Sequence, residues 1–244
     1  VVEEFLKHSS VPVILKPNAG LPDLKTGKYS MCPEEFASLM AKFYEKGAVI
    51  LGGCCGTSPE YIASLKKVLN TTEIKEKAEV VTGVISGATS SVILSEPRVI
   101  GERINPTGKK KFKEALERND LDYILNEGLS QVEAGADILD VNVGHSEIDE
   151  EEMMQKVVTS LQGSIGLPLQ LDSTSPEVLE KALRIYTGKA IINSVNGEEK
   201  SLNAVLPLAK KYGAAIVGLT LDEDGIPETV EKRVEIAEKI INRA

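Results

Sequence analysis

Val99-Ile-Gly-Glu-Arg-Ile-Asn-Pro-Thr-Gly108 is a short apolar run that stops at polar groups and then at a Pro-Thr-Gly turn. A β-branched run interrupted in this way predicts a buried strand whose far end delivers Glu102, Arg103 and Asn105 into a pocket. Four later stretches repeat the layout: Leu139-Asp-Val-Asn-Val-Gly144, Leu169-Gln-Leu-Asp-Ser173, Ile191-Ile-Asn-Ser-Val-Asn196 and Ile216-Val-Gly-Leu-Thr-Leu-Asp222. Each pairs an apolar run with polar residues at or near its end. Amphipathic helical stretches lie between and after them, at roughly 121–134, 149–161, 176–185, 201–212 and 227–243. Gly135, Gly163, Gly188 and Gly213 are expected at the helix exits. The alternation predicts an α/β fold whose parallel strands present their polar tips on one face. A site assembled from several strand ends is the expectation that follows.

Working toward the N-terminus, Val11 to Leu15 and Ala48 to Leu51 are strand candidates, and Val2 to Lys7 suits the end of a helix. Pro33 to Lys46 reads as a helix with Pro33 in its first turn and Gly47 as its stop. A second helix runs from Pro59 to about Leu69, with Ser58 as its expected N-cap. The stretch from Asn70 to Glu96 shows no long period and reads as a connection, with a short pairing strand at Val80 to Ile85 or Ser91 to Leu94. The expected organisation is therefore one domain over residues 1–70, a linker over 71–96 and a second domain over 97–244. The chain starts without Met and stops as its last helix closes, and about five strand-helix units follow Val99 where a closed barrel needs eight. Part of the architecture is thus expected to lie outside this sequence, or the sheet is open.

Composition excludes several classes. Hydrophobic residues make up 42% of the 244 and charged residues 27%, with aromatics at 4% and no Trp, which fits an aliphatic-rich α/β protein. The net charge of -9, with a pI near 5.0, argues against a nucleic-acid partner, because neutralising phosphates needs a basic face. Lys109 to Lys111, the one local basic run, reads as a solvated loop. Glu147 to Glu152 reads as acidic support for a helix start. No apolar run approaches the ~20 residues that cross a bilayer, and no signal-peptide pattern opens the sequence. Three Cys, two of them adjacent, do not make a disulfide framework, so the reducing cytoplasm is the expected location.

Cys54 and Cys55 follow a strand and are flanked by Gly52, Gly53 and Gly56, which let the backbone bend so that both sulfurs face one point. Tetrahedral Zn²⁺ accepts thiolates in that arrangement. Two buried thiols near a strand end would give the same spacing without a metal. Ile50-Leu-Gly-Gly-Cys-Cys-Gly-Thr-Ser-Pro-Glu-Tyr-Ile62, with Asn18-Ala-Gly-Leu-Pro22 upstream, resembles the last strands of the zinc-dependent homocysteine S-methyltransferase barrel. That resemblance implies that Cys54 and Cys55 are two of three zinc thiolates, the third coming from an earlier strand that nothing in this sequence matches. It leaves Cys32 as a bystander, Asn18 as a lesser oxygen candidate for the metal, and Tyr61 where the family often has His.

Glu102, Asn105, Asp140, Asn142, Asp172, Asn193 and Asn196 form the strand-end set. Carboxylates and carboxamides suit a flat heterocycle with several N–H donors and ring acceptors. Each residue singly would also serve to cap a turn. The stretches Gly-Glu-Arg-Ile-Asn-Pro-Thr-Gly, Leu-Asp-Val-Asn-Val-Gly, Leu-Asp-Ser, Ile-Ile-Asn-Ser-Val-Asn and Asp-Glu-Asp-Gly-Ile-Pro resemble the pterin-binding barrel of the cobalamin-dependent methionine synthase family. The same fold occurs in corrinoid methyltetrahydrofolate methyltransferases and in dihydropteroate synthase. The last fits less well, since its Asn-x-Thr-Pro-Asp-Ser-Phe and Asp-Ile-Gly-Gly-Glu-Ser-Thr stretches stand here as Asn105-Pro-Thr-Gly and Asp140-Val-Asn-Val-Gly.

The joint resemblance implies two TIM-type (β/α)8 barrels in tandem, both incomplete in this chain. It implies that Asp172 and Asn193 hold the pterin and serve catalysis, with Glu102, Asn105, Asp140, Asn142 and Asn196 also on the folate. The implied reaction moves the N5 methyl of 5-methyltetrahydrofolate to cob(I)alamin, and from methylcobalamin to zinc-activated homocysteine, giving methionine and tetrahydrofolate. Cobalamin would sit in a module absent from this chain, either a further domain of the same polypeptide or a separate corrinoid protein. His145 reads as a loop histidine without a role. The alternatives are a corrinoid methyltetrahydrofolate methyltransferase or a dihydropteroate synthase, and a non-catalytic segment with buried thiols and turn-capping Asp and Asn.

Overall fold

A computed structural model describes residues 1–9, 11–74 and 83–244. The chain divides into two compact units, Val1–Thr82 and Gly83–Ala244. In the first, α1 (Val2–His8) is followed by β1 (Ile14–Leu15), α2 (Pro33–Glu45), β2 (Ile50–Leu51) and α3 (Pro59–Leu69). The two strands are parallel, with Ile14 opposite Ile50. Both are shorter than the apolar runs suggest, and Pro12, which has no N–H to give a ladder, lies outside β1. Pro33 and the acidic pair Glu34 and Glu35 start α2, where Glu35 also accepts the Cys32 N–H at 3.2 Å. Ser58 is the N-cap of α3, but its side chain makes no cap bond, and the Tyr61 N–H goes to the Ser58 carbonyl oxygen at 3.0 Å. Phe36, Met40 and Leu65 bury the α2–α3 contact, and the Phe36 and Tyr61 rings meet edge to face.

The second unit is α/β. It opens with a hairpin, β3 (Val84–Ser86) and β4 (Ser91–Ile93), in which both candidate pairing segments pair with each other. Val80 to Thr82 lie outside the described residues. Then come β5 (Ile100–Ile104), α4 (Lys110–Glu117), α5 (Leu121–Glu133), β6 (Ile138–Asn142), α6 (Glu150–Ser164) and β7 (Leu169–Asp172). The series ends with α7 (Pro176–Ile185), β8 (Ile191–Asn196), α8 (Glu199–Tyr212), β9 (Ala215–Leu219) and α9 (Val230–Arg243). The five strands β5 to β9 form one parallel sheet in chain order, the β/α repeat of a barrel wall. Four helix starts are set locally: the side chains of Asp120, Asp149, Ser175 and Thr229 accept the N–H three residues on at α5, α6, α7 and α9.

Leu139, Val141, Leu169, Leu171, Ile192 and Val195 from the strands pack with Met154, Val157, Val158 and Leu161 of α6 in one core. Burying each aliphatic side chain contributes about 1.5–3 kcal/mol. Beneath the sheet, Ile85 of the hairpin is fully buried against Ile138 and Ile191, the first residues of β6 and β8. Ser86 and Lys189 exchange backbone hydrogen bonds at 3.0 and 3.1 Å there. A bulge in β5 separates Gly101 from Ile104, and the buried Gln131 side chain fills it by accepting the Arg103 N–H at 2.8 Å.

Two sequence expectations are corrected here. Lys109 to Lys111 is not a solvated loop: Lys109 is the N-cap of α4, whose Phe112, Ala115 and Leu116 are buried at helical spacing. Gly163 is not a helix exit, because α6 runs on to Ser164, whereas Gly213 does end α8 in the left-handed conformation at φ 68°.

Candidate functional site

β6 and β7 place two polar pairs side by side. Asp140 and Asn142 stand two residues apart, so they leave the same face of β6, and the same holds for Gln170 and Asp172 on β7. The register sets Asp140 opposite Gln170 and Asn142 opposite Asp172. Both pairs are hydrogen-bonded, Gln170 Nε2 donating to Asp140 Oδ1 at 2.5 Å and Asn142 Nδ2 donating to Asp172 Oδ2 at 2.9 Å. Asn193, the β8 partner of Asp172, reaches diagonally and donates to Asp140 Oδ1 at 3.4 Å. Four of the seven strand-end residues thus fall into two hydrogen-bonded groups, Asn142 with Asp172 and Asn193 with Asp140, the second completed by Gln170, a residue that sequence reasoning passed over.

Burial pushes the Asp140 carboxyl above the ordinary carboxylate range. The nearby Asp172 and Glu102 charges act in the same direction, while the Gln170 and Asn193 amides pull it back. Burial likewise raises Asp172, aided by the Glu150 charge and opposed by the Asn142 bond. Asp140 is 5% exposed, so it is the walled-in member of the pair. Asp172 and Asn193 are half-buried and line a cleft of about 390 Å³ together with Asn196, Ser173 and the first turn of α8. That volume suits a small-molecule ligand.

Of the remaining strand-end residues, Asn196 stays at the cleft, whereas Glu102 and Asn105 are engaged elsewhere. Asn196 faces the cleft and shapes its rim, donating to Glu198 Oε1 at 3.2 Å and accepting the Glu198 N–H at 3.0 Å. Glu102 is exposed and paired with Lys109 at 3.3 Å. Asn105 accepts the Thr107 N–H at 2.8 Å, which is turn chemistry. His145 is hydrogen-bonded to Glu117 at 2.9 Å, and with Glu147 these form the one set of three metal-competent side chains within 4.8 Å among the described residues. The Glu117 contact is a sufficient account of His145.

In the first unit, Cys54 and Cys55 are exposed, with their sulfurs 3.9 Å apart. Two thiolates at ~2.3 Å from a tetrahedral ion would be separated by about 3.8 Å, so this pair fits two of the corners of a Zn²⁺ shell. The backbone is braced on both sides: Cys54 N–H donates to the Pro17 carbonyl at 3.0 Å and Cys55 N–H to Asn18 Oδ1 at 3.1 Å. That bond employs one lone pair of the Asn18 oxygen and leaves the other. Gly56 turns the loop at φ 80°, and the Tyr29 ring lies against it so closely that a Cβ there would sit 2.2 Å from Tyr29 Cγ. Cys32, at the start of α2, forms no metal-competent set of three with the pair.

Residues 101–243 match the family model described as "Pterin binding enzyme". The chain belongs to that family. Residues 1–69 match the model described as "Homocysteine S-methyltransferase". The chain is 36% identical to a methionine synthase of Mycobacterium tuberculosis and 37% identical to one of Mycobacterium leprae, over 97% of its own length. It spans 21% of either relative. Among solved structures it is similar to a dihydropteroate synthase of Vibrio fischeri, at 17% identity and a TM-score of 0.48, covering 66% of this chain and 61% of that one. A Xanthomonas albilineans dihydropteroate synthase with 4-aminobenzoic acid gives 24% identity and a TM-score of 0.46, covering 66% and 60%. The polar pairs stand at the ends of parallel strands, the face on which (β/α) barrels carry their sites. No helix among the described residues is long and apolar enough to cross a membrane.

Proposed function

We propose that the chain is part of a methyltransferase that takes the N5 methyl of 5-methyltetrahydrofolate and delivers it, by way of cobalamin, to homocysteine. Asp172 and Asn193 are the ring-holding and catalytic pair, Asn196 lines the same cleft, and Asp140 and Asn142 fix their positions. Glu102 and Asn105 belong to the neighbouring rim. The observation that carries this reading is the shared cleft of Asp172 and Asn193, with one hydrogen bond positioning each side chain, from Asn142 to Asp172 and from Asn193 to Asp140. The match to methionine synthases along nearly the whole chain, and to the homocysteine S-methyltransferase model over residues 1–69, supports homocysteine as the acceptor.

The chemistry asks for what these side chains offer. As the N5–methyl bond breaks, the bonding electron pair stays on N5, which must also gain a proton to become a competent leaving group. A carboxylate and a carboxamide set against the ring edge accept from its N–H groups and stabilise a protonated pterin without reorganising. Cys54 and Cys55 would hold Zn²⁺, which, when bound, lowers the pKa of a substrate thiol so that a thiolate exists near neutral pH. Cobalamin would be held by a further domain of the same polypeptide or by a separate corrinoid protein. Free, exposed thiols accord with work in a reducing cytoplasm.

Calorimetric titration of the intact protein with 5-methyltetrahydrofolate tests the reading. Saturable binding that is lost in Asp172→Ala and Asn193→Ala is the expected result. A protein that ignores methyltetrahydrofolate but condenses a pterin pyrophosphate with p-aminobenzoate would replace it with the dihydropteroate reading.

A further inference from the structure

Lys200 stands in the first turn of α8 and lines the cleft that holds Asp172 and Asn193. Its position has no structural explanation. A cation gains nothing from the positive end of a helix dipole, and among the described residues no hydrogen bond or ion pair reaches its ammonium. Glu177, at the start of α7, feels the Lys200 charge without contacting it and is hydrogen-bonded to Ser175 instead. Other carboxylates near the turn are occupied: Glu199 pairs with Lys239 and Arg243, and Glu198 accepts from Asn196. The neighbouring strand-end lysine, Lys109, is fully engaged with Glu102 and two carbonyls. Lys200 is therefore an uncommitted cation on the rim of a cleft whose inner wall carries a carboxylate and a carboxamide.

Such a cleft selects a ligand with two chemically different ends. One end offers N–H donors to Asp172 and Asn193. The other carries negative charge to the rim. We propose that Lys200 receives the glutamate carboxylates of the folate tail, so that this lysine, and not the pterin contacts, favours a complete folate over a bare reduced pterin. The inference rests on the folate reading of the cleft. Glu198 on the same rim opposes a carboxylate, and Lys200 is the one cationic side chain in the lining of this cleft.

The experiment compares two ligands on the intact protein: 5-methyltetrahydrofolate and 6-methyltetrahydropterin, which lacks the p-aminobenzoylglutamate tail. Lys200→Ala should weaken the folate about tenfold and leave the bare pterin within about twofold, and Lys200→Arg should restore most of the loss. In the wild type the preference for folate should shrink as salt is raised. If Lys200→Ala, folded by circular dichroism, binds both ligands as the wild type does, or loses both equally, the tail assignment is overturned while the pterin cleft stands. If the wild type binds neither ligand, the folate reading itself fails and takes this proposal with it.

Discussion

Asn142 Nδ2 donates to Asp172 Oδ2 at 2.9 Å, and the two residues are also register partners on β6 and β7. The bond opposes the burial that pushes the Asp172 carboxyl upward. Asn142→Ala should remove that support, leave Glu150's charge uncompensated and raise Asp172 further. A hydrogen bond to a charged group contributes about 1.5–3 kcal/mol, so affinity for 5-methyltetrahydrofolate should fall about 10- to 100-fold. Titration decides it, and an unchanged affinity would separate this bond from ligand binding.

Asp140 yields a stability prediction with a definite sign. Its folded pKa is raised above the unfolded value, chiefly by burial. Between those two values the folded state binds more protons than the unfolded state, so stability falls as pH rises through that window and stays low above it. Asp140→Asn keeps an oxygen for Gln170 Nε2 and removes the buried charge. Urea unfolding from pH 4 to 8 should show the variant gaining on the wild type as pH rises. A gap independent of pH would mean that Asp140 does not titrate in this range.

Cys54→Ala and Cys55→Ala should each abolish zinc retention by the intact protein, measured by plasma mass spectrometry after gel filtration. Folate affinity should stay within about twofold, because the two sites lie in different units. Wild-type protein purified with zinc present yet metal-free would refute the thiolate assignment.

Gly56 offers a packing test. At φ 80°, with Tyr29 Cγ 2.2 Å from any added Cβ, Gly56→Ala should destabilise the first unit by more than about 1 kcal/mol. Adding Tyr29→Ala should relieve the clash but not the backbone strain. A double-mutant cycle followed by thermal melting would then report a coupling of about 0.5–3 kcal/mol. Additive single effects would show that the ring moves aside at no cost.

The β/α alternation was legible because β6, β7 and β8 are apolar runs bounded by polar tips, and the 3.6-residue period survives in the helices between them. Asp172 and Asn193 were legible for the same reason: each ends or interrupts such a run. Gln170 was not. A lone glutamine between two leucines reads as an interruption, and only the register of β6 against β7 shows that it is buried to bind Asp140. Its Oε1 is the one buried side-chain polar atom without a partner among the described residues. Helix α4 escaped because its first turn is lysine apart from Phe112, and its three buried positions span too few residues to set a period. Glu102 and Asn105 looked equivalent to the other strand ends, but Lys109 and the Thr107 N–H claim them, which spacing alone does not reveal.

The Ile85 stopper has a wider consequence. With Ile85 buried against Ile138 and Ile191 at the strand starts, the residues that make this cluster are different from those that line the cleft at the strand ends. Selection can therefore retune specificity at the mouth through Lys200, Glu198 or Asn196 while the foundation keeps its own unchanged sequence requirements. One end of the sheet is free to drift in chemistry because the other is committed to cohesion.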